Sequence, residues 1–265
     1  MAAHKQVISL HFSFGPHFSK GHAKNARSQL EQKGPFDLYS PEVAIPRGQS
    51  GFYIRNLKIK NELIREANLE ENRNASRIRV PSAFFKALGE SHDFGDFAQK
   101  EFELCFQKGL PYVPISVHEI PADRMHVYSI AGRAEEDIAW ERDFVANLRP
   151  NLAGALEQMQ DIWPSLIRQD SIHIFCRFGT EHAPLYALSQ TAYPGDPSTR
   201  FSYSFDRKSD EKAFMAMVGS GNFEHGNLES RMRWMEYVAK NPGLSGLVDD
   251  LKQLPRIILN VFSRN

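Results

Sequence analysis

The chain has little of what usually announces a chemistry. Among 265 residues there are two cysteines, Cys105 and Cys176, which make neither a disulfide framework nor the paired spacing of a zinc site. Neither cysteine has an obvious catalytic partner, and no serine stands in a nucleophile-elbow context, so a covalent mechanism is not expected. Net charge is also missing. Lys plus Arg number 32 and Asp plus Glu number 32, which removes the usual electrostatic case for nucleic acid or an anionic membrane. No apolar run approaches the ~20 residues of a membrane span. The opening MAAHKQVISLHF has only a short apolar run and no well-placed small-residue cleavage site, so the expectation is a cytoplasmic protein. Gly219 to Asn222, GSGN, follows a helical stretch rather than a strand and lacks the setting of a phosphate-binding loop.

What is present is best read outward from Ser171 to Ser189, SIHIFCRFGTEHAPLYALS. Ile172, Ile174, Phe175 and Cys176 form an apolar run of strand-forming residues. Gly179 then makes a turn, Glu181 and His182 follow, and Leu185, Tyr186 and Leu188 recur at helical spacing. The carboxyl end of a strand in an open α/β sheet is where ligands bind. Glu181 and His182 therefore belong at a functional rim, or else simply cap the helix.

The remaining chain supports an α/β fold: a mixed, mainly parallel sheet with helices on both faces, in one domain spanning residues 1–265. Gln6 to Ser13 reads as a strand with His11 near its end, and Gly15, Pro16 and His17 form the loop after it. Ser19 caps a helix that Gly34 ends. Pro35 to Ile45, with Glu42 inside it, reads as the second strand of a βαβ unit, which requires a parallel pair. Residues 46–109 read as a helical insert over the strand ends. Leu110 to Ile120 is a strand ending in His118 and Glu119, and MHVYSIAG (125–132) reads as a short further one. A long helix carrying Arg142 between Glu141 and Asp143 then leads, past a break at Pro150, to the stretch above. RFSYSFD is the last strand. Residues 206–265 read as a C-terminal helical region, in which Met215, Met217, Met232, Trp234 and Met235 are expected in the core.

Because parallel strand ends face one way, His17 (or His11), Glu42, Glu119 and His182 are expected on one edge of the sheet. A shared site requires Glu42 and His182 to lie within ~12 Å of one another. Such a set supports two chemistries. It can hold a divalent metal (Mn, Co or Zn) that activates water. Alternatively, a carboxylate-oriented His serves as general base on water without a metal. Arg142 would stabilise developing negative charge or clamp a carboxylate. A rim imidazole buries little area, so His182→Ala is expected to leave folding nearly unchanged.

The order of these signals resembles the TraB/TIKI/ChaN/erythromycin-esterase-like superfamily. The matching residues are Gly15 with His17 (or His11), Glu42, Arg142 with Asp143, and Gly179 with His182, over roughly residues 6–205; Glu119 is similar in placement to an acid after the family's middle strand. Gly15-Pro16 departs from the usual residues before the first His. The resemblance implies a hydrolase acting through activated water on an ester, amide or peptide bond of a small molecule or peptide. It leaves two alternatives: a non-catalytic binding protein on the same fold, or a haem- or iron-binding protein with a His or Tyr39 as ligand.

Overall fold

The fold grows from two strands buried on both faces. The computed structural model describes residues 6–16, 22–69, 92–120, 130–220 and 227–240. In it β1 (Val7–Phe14) lies parallel to β5 (Ser171–Phe178), with Val7 opposite Ser171 and Phe14 opposite Phe178. β2 (Leu38–Pro41) flanks β5 and β6 (Thr199–Phe205) flanks β1, so the order is β2-β5-β1-β6. All of these pairings are parallel. The architecture is α/β as expected, and the described sheets carry no antiparallel pair. β1 and β2 bracket β5 instead of pairing directly, so the first βαβ crossover leaves a slot that a strand more than 120 residues later fills.

Alternation along the strands gives the sheet two different faces. On one, Phe12 packs against Phe14, Phe178 and Phe201. Helix α4 (Ile130–Ala146) covers this face through Phe144 on Phe178, and α7 (Pro184–Ala192) through Tyr186 on Phe12 and Tyr203. Phe214 of α8 (Lys208–Gly219) meets Phe205. On the other face α1 (His22–Lys33) brings Gln29 to Ser13 and Ser204. Full burial of each such ring stabilises by about 2–3 kcal/mol.

The expected second strand is split at Glu42. Residues Leu38–Pro41 stay in the main sheet, while Val43–Pro46 (β3) pairs with β4 (Val117–Ile120) in a separate parallel ribbon. Pro41 lacks a ladder donor, and Glu42 N–H gives the last bond, to the Arg177 carbonyl (2.9 Å). The strand expected from Leu110 shrinks to these last four residues for a similar reason. Pro111 and Pro114 remove donors, leaving one bridge between Tyr39 and Tyr112 and a bond from Ile115 N–H to Ser40 Oγ. The short strand expected at 125–132 is not one at its described end, since α4 starts at Ile130; residues 121–129 lie outside the described residues.

Helices α2 (Ser50–Leu69) and α3 (His92–Lys108) carry the described part of the 46–109 insert. Leu57, Ile64, Phe102 and Cys105 join the same core as the strands. Helix α5 (Leu148–Gln158) begins just past Asn147, where Pro150 has no N–H for the carbonyl four residues back. Short α6 (Pro164–Ile167) precedes β5, and α9 (Leu228–Lys240) closes the described chain. Trp234 and Met235 are buried as expected, whereas Met215 is 45% exposed.

On the α1 face a polar chain threads the core. Arg177 forms a two-pronged pair with Asp206 (2.9 and 2.6 Å) and reaches Ser13 Oγ (2.6 Å). Gln29 Nε2 donates to Asp206 Oδ1 (2.9 Å), and Gln29 Oε1 accepts from the hydroxyls of Ser13 and Ser204. The backbone of Gly15 runs directly over this pair, where an added Cβ would stand 2.0 Å from Asp206 Oδ2. Because the Ser204 hydroxyl is spent on Gln29, it accepts from His11 Nε2–H (2.8 Å), while His11 Nδ1 accepts from Ser202 (2.9 Å). His11, 4% exposed, is thus held neutral. Burial, with a smaller contribution from Lys33, lowers its pKa to about 4.

A histidine whose folded pKa lies below its unfolded value loses stability as pH falls through that window, because only the unfolded chain takes up the proton. Between pH 7 and pH 4, urea unfolding is expected to show the wild type losing about 3 kcal/mol more than His11→Gln. Equal losses would contradict the neutral, buried assignment.

Candidate active site

The carboxyl ends of β2 and β5 bring two of the expected residues into direct contact. Glu42 occupies the junction where the chain leaves the main sheet. After β5, Gly179 opens a 3-10 turn over Thr180–His182, and Pro184 starts α7 at a position that needs no donor. The turn is pinned by His182 N–H to the Gly179 carbonyl (3.0 Å) and by Trp234 Nε1–H of α9 to the Thr180 carbonyl (3.2 Å). His182 Nε2 then lies 3.1 Å from Glu42 Oε1, and Glu42 Oε2 accepts from the Gly179 N–H (2.9 Å).

The other ring nitrogen, His182 Nδ1, lies 3.0 Å from Oε1 of Glu141 on α4. Glu141 is clamped in turn by Arg231 of α9, with bonds of 3.0 and 2.8 Å to its two oxygens, and Arg231 also reaches Asp137 (3.4 Å). Trp140 and Phe178 wall the imidazole edge-on, at 5.1 and 6.3 Å between ring centres. His118 of β4 also stacks on Trp140 (6.0 Å).

His182 is 4% exposed, and burial alone would disfavour its charge. Glu42, Asp137 and the hydrogen bonds from Glu141 and Glu42 outweigh that and raise its pKa well above the usual histidine value. With a carboxylate at each nitrogen, both nitrogens donate: His182 is an imidazolium. Glu141 has no exposed side-chain surface, while the Glu42 side chain keeps 19% of its surface in water. Of the two carboxylates, Glu42 is therefore the one that solvent reaches. His118 is different: burial lowers its pKa, against smaller opposing effects from Asp137, Glu136 and Glu42, and His182 lowers it further.

The other expected site residues lie elsewhere. Arg142 is exposed on α4; a helix advances ~100° per residue, so burying Glu141 turns its neighbour outward. Arg231 makes the carboxylate clamp expected of Arg142. Glu119 is exposed on β4, opposite Ile45. His11 lies inside β1 on the α1 face, bonded to two serines. His17 lies outside the described residues. Tyr39 is fully buried between Tyr112 and Phe175, with its phenol pKa raised well above normal by burial. Among the described residues no group of three or more His, Cys, Asp or Glu side chains is arranged to hold a metal ion. Glu42, His182 and Glu119, the described members of the expected donor set, are not gathered into such a group.

Three partners were missed in the sequence: Asp137, Glu141 and Arg231. Each carries a readable signal. Asp137 and Glu141 fall on the stripe of Phe144 and Leu148, and Arg231 on that of Trp234, Met235 and Val238, all buried. A charged residue on an apolar helix stripe needs a buried partner of opposite sign. Burial also overturns the expectation that His182→Ala would leave folding nearly unchanged, since the substitution strips a counter-charge from buried Glu141.

In comparisons with known proteins, the chain matches no family model, no curated protein and no solved structure. Among the described residues no helix is long and apolar enough to cross a membrane.

Arg231→Met is expected to lower the unfolding free energy by about 3–5 kcal/mol, because it leaves Glu141 and Asp137 buried without their guanidinium. Arg142→Met should change it by less than ~0.5 kcal/mol. Comparable losses in the two variants, measured by urea unfolding, would contradict the assignment of Arg231 as the clamp.

Proposed function

We propose that the protein is a hydrolase in which Glu42 and His182 act as one water-activating unit on an ester, amide or peptide bond of a small molecule or peptide. The observation that carries this reading is the 3.1 Å contact between a partly solvated carboxylate and an imidazolium fixed from behind by Glu141. In this reading Glu42 accepts a proton from water as the water oxygen bonds to the carbonyl carbon. His182 Nε2–H supplies a proton to the departing alcohol or amine, and the proton on Glu42 then returns to His182. The return transfer falls within hydrogen-bond reach, at 3.1 Å between His182 Nε2 and Glu42 Oε1, and no metal is required. The ordered motifs support placing the chain, as a divergent member, in the TraB/TIKI/ChaN/erythromycin-esterase-like superfamily; a cytoplasmic location belongs to the same proposal.

A second reading is favoured by one observation: His182 is 4% exposed and both of its nitrogens face carboxylates. Under it the cluster ties α4 and α9 to the strand ends of a non-catalytic binding protein.

Turnover of a panel of p-nitrophenyl esters, amides and peptides separates the two. The hydrolase reading expects activity that survives a chelator and falls at least ~10²-fold in Glu42→Gln. Adding His182→Gln should cost little more, since groups acting as one unit are non-additive. No turnover by the folded wild type, or full turnover by Glu42→Gln, would favour the second reading.

A further inference from the structure

A concavity apart from the Glu42–His182 pair lies between α2, the run from Val113 to β4, and the α4–α5 corner, with a volume of ≈ 420 Å³. That size falls within the range of small-molecule sites. Its walls include Ile54, Leu57, Ile115, Val117 and Ala155, of which Leu57 and Ile115 are fully buried core residues. The floor is therefore apolar, while Ser50, Ser116, Asn151 and Gln158 add polar groups to the lining. Among the described residues, its charged lining residues are Glu119 and Asp143, both exposed. Asp143 accepts a bond from Asn147 Nδ2 (2.8 Å), and among the described residues neither carboxylate is paired with a basic side chain. Gly154 of α5 also lines the concavity, and a Cβ added there would meet nothing within 4 Å. The space above it is open.

We propose that this concavity binds a small organic cation: an apolar body seated over Ile54, Val117 and Ala155, with an ammonium group between Glu119 and Asp143. The pairing of chemistries carries the inference. Apolar walls reward burial of a hydrocarbon body, and two like-charged rim groups without a cationic neighbour favour a ligand that brings its own positive charge. Strand alternation keeps the site distinct from the imidazolium cluster. Glu119 lines this concavity, while His118, one residue earlier on β4, stacks on Trp140 beside His182.

Methyl-labelled full-length protein titrated with hexylammonium, hexanol and hexanoate tests the proposal, with the methyls of Ile54, Ile115, Val117 and Ala155 as reporters. Saturable shifts are expected with hexylammonium, about tenfold weaker binding with hexanol, the order two exposed carboxylates supply, and none with hexanoate. The charge preference should shrink as salt rises. Glu119→Gln with Asp143→Asn should erase that preference while leaving the hexanol affinity in place. Gly154→Phe, which fills the open space without a steric conflict at Cβ, should abolish binding of both. Equal affinity for the three probes, shifts that do not saturate, or undiminished binding in Gly154→Phe would overturn it.

Discussion

One buried charge organises this end of the molecule: the His182 imidazolium between Glu42 and Glu141. Glu42 and Glu141 each place a carboxylate at one of its nitrogens, Asp137 adds a third nearby, and Arg231 bonds Glu141 and Asp137. These carboxylates favour the charged ring despite its burial, and in a low-dielectric region such pairing is strongly favoured over leaving charge uncompensated. The raised pKa follows from those neighbours, and so does a pH dependence. A group whose folded pKa is raised contributes its full stabilisation below the unfolded value, near 6.5, and loses it as pH climbs through the folded one. This is the opposite sign to His11, whose burial between serines and aromatic rings keeps it neutral.

The sheet's carboxyl edge is thus polar on both sides, by two separate networks that meet in β5. Arg177 serves both. Its guanidinium holds Asp206 on the α1 face, while its carbonyl takes the Glu42 N–H where β2 ends. The next residue, Phe178, turns to the opposite face and walls His182. Gly179 follows with the N–H that orients Glu42. Three consecutive residues therefore set the Arg–Asp pair, the aromatic wall and the carboxylate position. The Glu42–His182 geometry is thus set just past the ends of β2 and β5, at the strand junction and in the 3-10 turn.

Much of this was legible in the sequence, and the gaps have physical causes. The strand-turn-helix reading of Ser171 to Ser189 matched the structure because the run of strand-forming residues, the Gly179 turn and Pro184 all point the same way locally. The expectation that Glu42 and His182 lie close together followed from parallel strands ending on one edge, and it needed no knowledge of strand order. That order was not legible: β5 slots between β1 and β2 through contacts more than 120 residues apart, which no local pattern encodes. Glu141 and Arg231 were passed over because a short motif drew attention to Arg142, whereas the helical period decides which neighbour faces inward. The truncated β4 shows Pro111 and Pro114 overriding an alternation that otherwise reads as a full strand.

The most direct measurement of the central claim is the protonation state of His182 by ¹⁵N NMR of histidine-labelled protein from pH 6 to pH 9. The account predicts two protonated ring nitrogens on His182 at pH 7 and beyond, with the change to a neutral ring coming only at alkaline pH, and coming at lower pH in Glu141→Gln. A neutral His182 at pH 7, with one nitrogen carrying no proton, would contradict it.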